Sequence, residues 1–112
     1  MPKQAIHTYS RYTRHAATLL GKQIKIARKE RNMTAQDLAD RAGISRGLLQ
    51  RIEKGNLKCQ IGAVFEVATL VGIKLFDADT PSLSTSIRQA DDRIALLPKH
   101  IYLGKKVVDD DF

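Results

Sequence analysis

The sequence has no tryptophan, one cysteine and three prolines, and aromatic residues make up only 5% of its 112 residues. A lone cysteine, Cys59, excludes an internal disulfide bond, and we expect it to be a reduced structural thiol. The scarcity of aromatic side chains predicts a core built mostly from aliphatic residues. No segment is both long and strongly apolar, so no membrane-spanning helix and no membrane partner are expected.

Sequence patterns typical of enzymes and metal sites are missing as well. The chain has no glycine-rich nucleotide loop, no nucleophile elbow and no zinc-ligand spacing, and its three histidines are scattered. We therefore expect no catalytic activity, no bound metal and no cofactor. The first residues lack the apolar core of a secretory signal peptide, which favours a cytoplasmic, nucleoid-associated protein.

What the chain does have is a formal net charge of +7 that is unevenly distributed. Residues 1–58 carry 13 Lys and Arg against 4 Asp and Glu, whereas residues 59–112 carry 6 against 8. A basic half of this kind predicts a polyanionic partner. DNA and a membrane surface are the two candidates, and the absence of a spanning segment favours DNA.

Apolar residues at helical spacing predict four helices in the first two thirds of the chain, over about 13–31, 34–42, 45–54 and 61–71. The first helix is expected to expose a basic face made of Lys22, Lys25, Arg28, Lys29 and Arg31. The fourth is expected to bury Val64, Phe65, Ala68 and either Leu70 or Val71. A short apolar closure at 73–76 follows, with the pattern of a helical turn.

The two ends of the chain are less regular. Residues 1–14 are either a flexible basic arm or an extra helical turn, and Thr80-Pro81-Ser82 is interpreted as a linker. A short helix is predicted over 84–97, halted at Pro98, and a brief strand over 101–103.

The most informative segment joins the second and third helices. Thr34 and Asp37 have the spacing of a capping box, Gly43 ends the second helix, and Ser45 caps the third. Because the connection is so short, the two helices must cross steeply, as in helix-turn-helix units. On the third helix one face is apolar (Leu48, Leu49, Ile52) and the opposite face is polar and basic (Arg46, Gln50, Lys54).

These residues resemble the lambda-repressor-like, Xre-type helix-turn-helix family. The likeness runs from Leu20 to Phe76 and rests on five groups of residues: Ile24 with Arg28, Thr34 with Leu38-Ala39, Ala42-Gly43-Ile44-Ser45-Arg46, Ile52-Glu53-Lys54-Gly55, and Val67-Ala68 with Leu70 and Gly72. The resemblance implies an all-α protein with a compact five-helix DNA-binding domain that binds operators as a homodimer. We expect a basic arm over 1–14, this domain over 15–79, and a helix/strand extension for dimerisation or toxin binding over 80–112.

The helical wheel and the resemblance assign the same residues to double-stranded DNA. Arg46, Gly47, Gln50 and Arg51 are predicted to face base edges. Six further residues are predicted to contact phosphates: Thr34, Gln36, Ser45, Lys54, Asn56 and Lys58. The family commonly has a phosphate-holding Gln directly after this Thr, where the present chain has Ala35 and carries Gln36 one position later.

The C-terminal part has a narrower likeness, to antitoxins of the Hip type. It rests on Leu75-Phe76-Asp77-Ala78-Asp79, Ala95-Leu96-Leu97-Pro98-Lys99 and Val108-Asp109-Asp110-Asp111-Phe112. The resemblance implies a Hip-type kinase toxin as partner and repression of the shared operon, with Val107, Val108 and Phe112 as toxin contacts. Two alternatives stay open: a stand-alone Xre-type regulator without a toxin, and a toxin-holding module that binds DNA weakly.

Overall fold

The computed structural model describes residues 8–76 and 80–100, which form two compact units. Within these ranges the chain has five helices and no strand: α1 Arg11–Glu30, α2 Ala35–Ala42, α3 Arg46–Glu53, α4 Ile61–Leu70 and α5 Thr80–Leu96. The predicted all-α fold class is therefore confirmed. The strand predicted over 101–103 lies outside the described residues, as do the three predicted toxin contacts Val107, Val108 and Phe112.

α1 begins two residues earlier than the periodicity predicts. Ser10 is its N-cap, and the Ser10 hydroxyl accepts a hydrogen bond from the backbone N–H of Thr13 at 3.2 Å. Residues 11–14 of the predicted arm are thus the first turn of α1. No helix in the described ranges has the length and hydropathy needed to cross a bilayer.

The core of the first unit is aliphatic, as the shortage of aromatic residues predicts. Eight hydrophobic residues from α1 to the end of α4 are buried: Ile24, Leu38, Ala39, Leu49, Ile52, Val67, Ala68 and Val71. Half-buried residues, including Cys59, pack against this cluster. Burial of a Leu, Ile or Val side chain contributes about 1.5–3 kcal/mol, so these residues are the main source of stability for the unit.

The connection between α2 and α3 has the local structure that the sequence predicts. Thr34 and Asp37 form a reciprocal capping box, in which Asp37 N–H donates to the Thr34 hydroxyl and Thr34 N–H donates to the Asp37 carboxylate. Gly43 ends α2 in the left-handed conformation with φ 71°, and Ser45 caps α3. Both ends of the short connection between α2 and α3 are therefore fixed by caps.

α1 and α3 approach each other at backbone contact. A β-carbon on Gly21 would lie 2.5 Å from the carbonyl oxygen of Glu53 and 2.6 Å from that of Ile52. Just after α3, Gly55 has φ 82°, and a β-carbon there would lie 2.8 Å from Cα of Thr18. Glycine is therefore required at both places, and the position of α3 on α1 is fixed by main-chain atoms.

α4 buries most of the predicted set: Ala68 and Val71 are buried as predicted and Val64 is half-buried, but Phe65 is exposed and Val67 takes its place in the core. Val67 and Ala68 are buried, followed by Val71, whereas Phe65 is 38% exposed and its ring stands 6.4 Å from that of Phe76. The prediction of Phe65 as a core residue is wrong because α4 is apolar on nearly every side. Its periodicity does not identify which side faces the core.

The second unit contains α5, which starts earlier than predicted. Thr80 and Pro81 lie in the first turn of the helix, so the interpretation of 80–82 as a linker is wrong. Proline is well tolerated there, because the first N–H groups of a helix have no intrahelical partner. Residues 73–76 of the first unit, in contrast, form no helical turn. No residue of α5 is buried.

Candidate nucleic-acid interface

The two faces of α3 differ in burial as their composition predicts. Leu49 and Ile52 are buried in the core, and Leu48 is half-buried. The four residues predicted to face bases, Arg46, Gly47, Gln50 and Arg51, are all exposed, as is Lys54 at the end of the helix. The structure therefore brings the predicted base-contacting residues together on one accessible surface. Their contact with bases stays a prediction.

The electrostatics of this surface follow from a buried ion pair that the sequence analysis missed. Arg28 was expected on a solvated basic face, and this expectation is wrong, because only 7% of the residue is exposed. Its Nε donates to Glu53 Oε2 at 2.7 Å and its Nη2 to Glu53 Oε1 at 3.0 Å. A third hydrogen bond joins Nη1 to the carbonyl oxygen of Met33 at 3.0 Å.

This pair removes the one negative charge from the exposed side of α3. The hydrogen bonds with Glu53 raise the pKa of the Arg28 guanidinium, so its positive charge is held against the Glu53 carboxylate. Glu53 is the sole acidic residue of α3, and its side chain is only 7% exposed. The charges that α3 presents to solvent are therefore all cationic, which suits a polyanion.

Two of the predicted phosphate contacts are also helix caps. The Thr34 hydroxyl accepts from Asp37 N–H at 3.0 Å, and the Ser45 hydroxyl accepts from Leu48 N–H at 3.0 Å. Both residues are exposed. A hydroxyl keeps its own O–H donor when its oxygen accepts, so Ser45 still has a proton to offer a phosphate oxygen. The Thr34 hydroxyl also hydrogen-bonds to the Asp37 carboxylate, with which a phosphate has to compete.

The remaining phosphate candidates differ in how their side chains are engaged. The Gln36 amide donates to the Asp40 carboxylate at 2.8 Å, so a phosphate has to compete with that carboxylate. The turn after α3 is ordered by the Asn56 side chain, whose Oδ1 accepts from Lys58 N–H at 2.7 Å. Lys54, Asn56 and Lys58 are all exposed. This turn therefore extends the cationic surface beyond the end of α3.

The start of α4 is a candidate that the periodicity could not reveal. Its N-cap residue, Gln60, makes no side-chain hydrogen bond to the first turn. The first N–H groups of an α-helix have no intrahelical acceptor and attract anions when no side chain caps them. Because Gln60 follows Lys58 by two residues, these donors adjoin the cationic turn in sequence.

Gly47 has no structural reason within the chain to be glycine. A β-carbon at this position would meet only Arg51 Nη1 at 3.8 Å and the Ser45 hydroxyl at 4.0 Å, which are ordinary contacts. Its φ is not positive, and glycine in a helix costs about 1 kcal/mol relative to alanine. Without a side chain at this position, the backbone of α3 between Arg46 and Gln50 is accessible, and it is here that a close approach to bases is predicted.

Comparisons with known proteins agree with this geometry. Residues 24–75 match a family model described as helix-turn-helix. An uncharacterized HTH-type transcriptional regulator of Methanocaldococcus jannaschii is 34% identical over 55 residues, which are 49% of this chain and 83% of that protein. No solved structure gives a significant match.

The matched region begins at Ile24 in α1 and ends just after α4, so it contains the core, the α2–α3 crossing and the cationic surface of α3. The chain belongs to the helix-turn-helix family, of the lambda-repressor-like Xre type, a family of DNA-binding transcription regulators.

Proposed function

We propose that this protein is a sequence-specific transcriptional repressor that reads an operator with α3 and binds it as a homodimer. The observation that carries the proposal is the division of α3 into a buried apolar face and an exposed face whose charges are all cationic. A short helix held in this way after a steep turn has the dimensions of the DNA major groove.

The exposed side chains suit direct readout of bases. Arginine can donate two hydrogen bonds to guanine O6 and N7, and glutamine can pair with adenine N6 and N7. Arg46 and Gln50 occupy adjacent turns of α3, so they would contact neighbouring base pairs. Each good pair is worth roughly 1–3 kcal/mol of discrimination, and the caps, Lys54 and Lys58 would set the register through phosphates.

Matched alanine substitutions separate the two kinds of contact. Arg46→Ala should reduce the preference for the operator over random DNA by roughly 5- to 150-fold, the range that corresponds to one lost base pair contact. Lys54→Ala should lower the affinity for both DNAs alike. It should also reduce the slope of log affinity against log salt concentration by about one, because one phosphate contact is lost. Fluorescence anisotropy on a footprinted promoter and a scrambled duplex, at several salt concentrations, measures both. Equal losses on the two duplexes for Arg46→Ala would contradict direct readout.

Gly47→Ala should change stability and binding in opposite directions. The free energy of unfolding should rise by up to about 1 kcal/mol, because alanine is the better helix former and the site has room. Operator affinity should fall, because the added methyl group holds α3 away from the bases. Ala16→Gly, at an exposed position of α1, is the control: it changes helix propensity in the opposite direction and should leave affinity unchanged. Undiminished affinity in Gly47→Ala would contradict the close approach.

We further propose that the repressor acts as the antitoxin of a type II toxin–antitoxin operon, with a Hip-type kinase toxin as its partner. The support is the likeness of the C-terminal part to antitoxins of this type, together with the apolar residues Val107, Val108 and Phe112 in its acidic tail, which we assign to the toxin. A purely solubilising acidic tail has no need of these apolar residues. A stand-alone regulator would lack such a partner, and a toxin-holding module would bind operator and random DNA alike.

Deletion of residues 107–112 tests this second proposal. Operator affinity should stay the same, whereas affinity for a purified Hip-type kinase toxin should fall. Both are measured with purified proteins by calorimetry and anisotropy. Unchanged affinity for the kinase after the deletion, or no binding by the full chain, would contradict the antitoxin role and leave the repressor proposal intact.

A further inference from the structure

One side of α1 carries five exposed cations that have no part in the function proposed above. They are Arg11, Arg14, Lys22, Lys25 and Lys29, and we call them the α1 stripe. We propose that the α1 stripe binds the phosphate backbone of the duplex that α3 reads, and so forms a second DNA contact that is independent of sequence. This inference rests on the proposed function and adds a surface to it. Three of the five cations precede residue 24, where the family match begins.

The helical repeat brings the members of the α1 stripe together. At about 100° per residue, the five positions fall within an arc roughly 80° wide. The one other residue of α1 inside this arc is Thr18, which is exposed as well. From Arg11 to Lys29 the stripe extends about 27 Å along the helix axis. It is therefore a continuous row of cations that is long enough to face several phosphates.

The charges of the α1 stripe are not neutralised by the described part of the chain. The sole acidic residue of α1, Glu30, lies outside the arc. None of the five cations forms an ion pair with a described residue. The Arg14 guanidinium donates to the carbonyl oxygen of Tyr9, a neutral acceptor that leaves its charge in place. Like charges three or four residues apart destabilise a helix, so a polyanion is the partner that offsets their repulsion.

The fold places the α1 stripe against the turn that follows α3. Gly55 lies in this turn, and a β-carbon on it would lie 2.8 Å from Cα of Thr18, so the two main chains are in contact. Thr18 is at the middle of the stripe, both around the helix and along it. The same turn exposes Lys54, Asn56 and Lys58, three of the predicted phosphate contacts. The α1 stripe is therefore continuous with the surface proposed to bind phosphates.

A membrane surface is the other polyanion that attracts a cationic helix, and DNA is favoured over it. Tyr12, Leu19 and Ile26 lie beside the stripe and are 82%, 56% and 55% exposed. They are seven residues apart, so an apolar side chain occurs once in about two turns. A helix that lies in a membrane interface inserts a whole apolar face. The cations, in contrast, adjoin a surface already proposed to bind DNA.

Removal of charge tests the proposal. A triple variant with Lys22→Gln, Lys25→Gln and Lys29→Gln changes exposed positions only. Its affinity for operator and for random duplex should fall alike, by roughly 10-fold or more, and its preference for the operator should stay the same, because phosphates carry no sequence information. The slope of log affinity against log salt concentration should fall by about 2–3, since each phosphate contact contributes about 0.9. Fluorescence anisotropy at several salt concentrations measures all three quantities.

A second triple variant is the control for net charge. Arg88→Gln, Arg93→Gln and Lys99→Gln remove the same number of charges from exposed positions of the second unit. The slope should stay close to that of wild type. An unchanged slope in the stripe variant, or an equal fall in both variants, would overturn the α1 stripe. Urea unfolding followed by circular dichroism establishes that both variants keep the fold.

Directed cleavage of DNA locates the contact. In a Cys59→Ser background, an iron chelate attached to Lys25→Cys should cut the backbone of the bound operator duplex. The matched control is Gln23→Cys, an exposed position on the opposite side of α1, where the chelate should cut much more weakly. Cleavage that is equal at the two positions, or stronger from 23, would overturn the proposal.

Two further results separate the α1 stripe from its alternatives. Binding to phosphatidylserine vesicles that is lost in the stripe variant, with DNA affinity unchanged, would overturn the DNA contact in favour of a membrane. A protein that prefers its operator regardless of the stripe would overturn the stripe and leave the repressor intact. Stripe-dependent binding without any operator preference would support the stripe and contradict the repressor.

Discussion

The helices of the first unit and α5 have similar apolar patterns but different surroundings. Between α1 and the end of α4, eight hydrophobic residues are buried and an ion pair is enclosed with them. α5 is longer than α2, α3 or α4 and has an equally regular apolar stripe, yet it buries nothing. Periodicity therefore identifies a face that requires cover, while the cover itself depends on other parts of the chain or on another molecule.

The strongest test of this contrast removes the acidic partner from the enclosed ion pair. Glu53→Ala should lower the free energy of unfolding by about 3–5 kcal/mol, because it leaves the buried Arg28 guanidinium uncompensated. Urea unfolding followed by circular dichroism measures the change. Glu66→Ala, which removes the same charge from an exposed position of α4, should change the value by no more than about 0.5 kcal/mol. Similar losses in the two variants would mean that the pair is not a structural element.

The same substitution in the two regions compares them directly. Leu38→Ala should reduce stability by about 2–5 kcal/mol, because Leu38 is fully buried and its loss leaves a cavity. Leu97→Ala, at a residue 62% exposed, should change it by no more than about 0.5 kcal/mol. A large loss for Leu97→Ala would show that this side chain is buried in solution.

The smallest expected effect concerns the capping box of α2 and depends on pH. Hydrogen bonds from the Thr34 backbone N–H and hydroxyl lower the pKa of Asp37 from its ordinary value of 3.8. The unfolded chain therefore binds this proton more readily than the folded one. The stabilisation by Asp37 is fully present above that ordinary value and is lost as pH falls through the lower folded pKa.

Urea unfolding of wild type and Asp37→Asn, from neutral pH down to about pH 2, measures this contribution. The stability difference between the two proteins should shrink in acid. Glu30→Gln, at an exposed residue of α1, serves as the control for a lost charge. A difference that stays constant over the whole range would rule out the ionised carboxylate as the source.

The parts of the structure that could be predicted are those with local causes. Thr34, Gly43 and Ser45 set the ends of α2 and α3 through their own backbone or near neighbours, so the crossing could be derived residue by residue. The exposure of Arg46 and Gln50 was predictable for a related reason. The apolar face of α3 must pack against the core, so residues on the opposite face point to solvent. Their roles at DNA are inferred from that exposure and from family likeness.

The parts that could not be predicted depend on distant residues. Arg28 and Glu53 are 25 positions apart, and the spacing of Arg28 among other cations is the same whether it is solvated or buried. On α4 nearly every side is apolar, so only packing against the other helices selects Val67 over Phe65. Pro81 is compatible with both a linker and a first helical turn, and its neighbours in sequence do not distinguish them.

The glycine contacts between α1 and α3 have a consequence for how this protein can acquire new targets. With main-chain atoms touching at Gly21 and Gly55, a tilt of α3 would require two helices to separate, which most single substitutions cannot achieve without unfolding the unit. Relatives that recognise a different operator are therefore expected to differ in the exposed side chains of α3, while the angle between α1 and α3 stays the same. Divergence among relatives that keep both glycines should accordingly concentrate at positions 46, 47, 50 and 51.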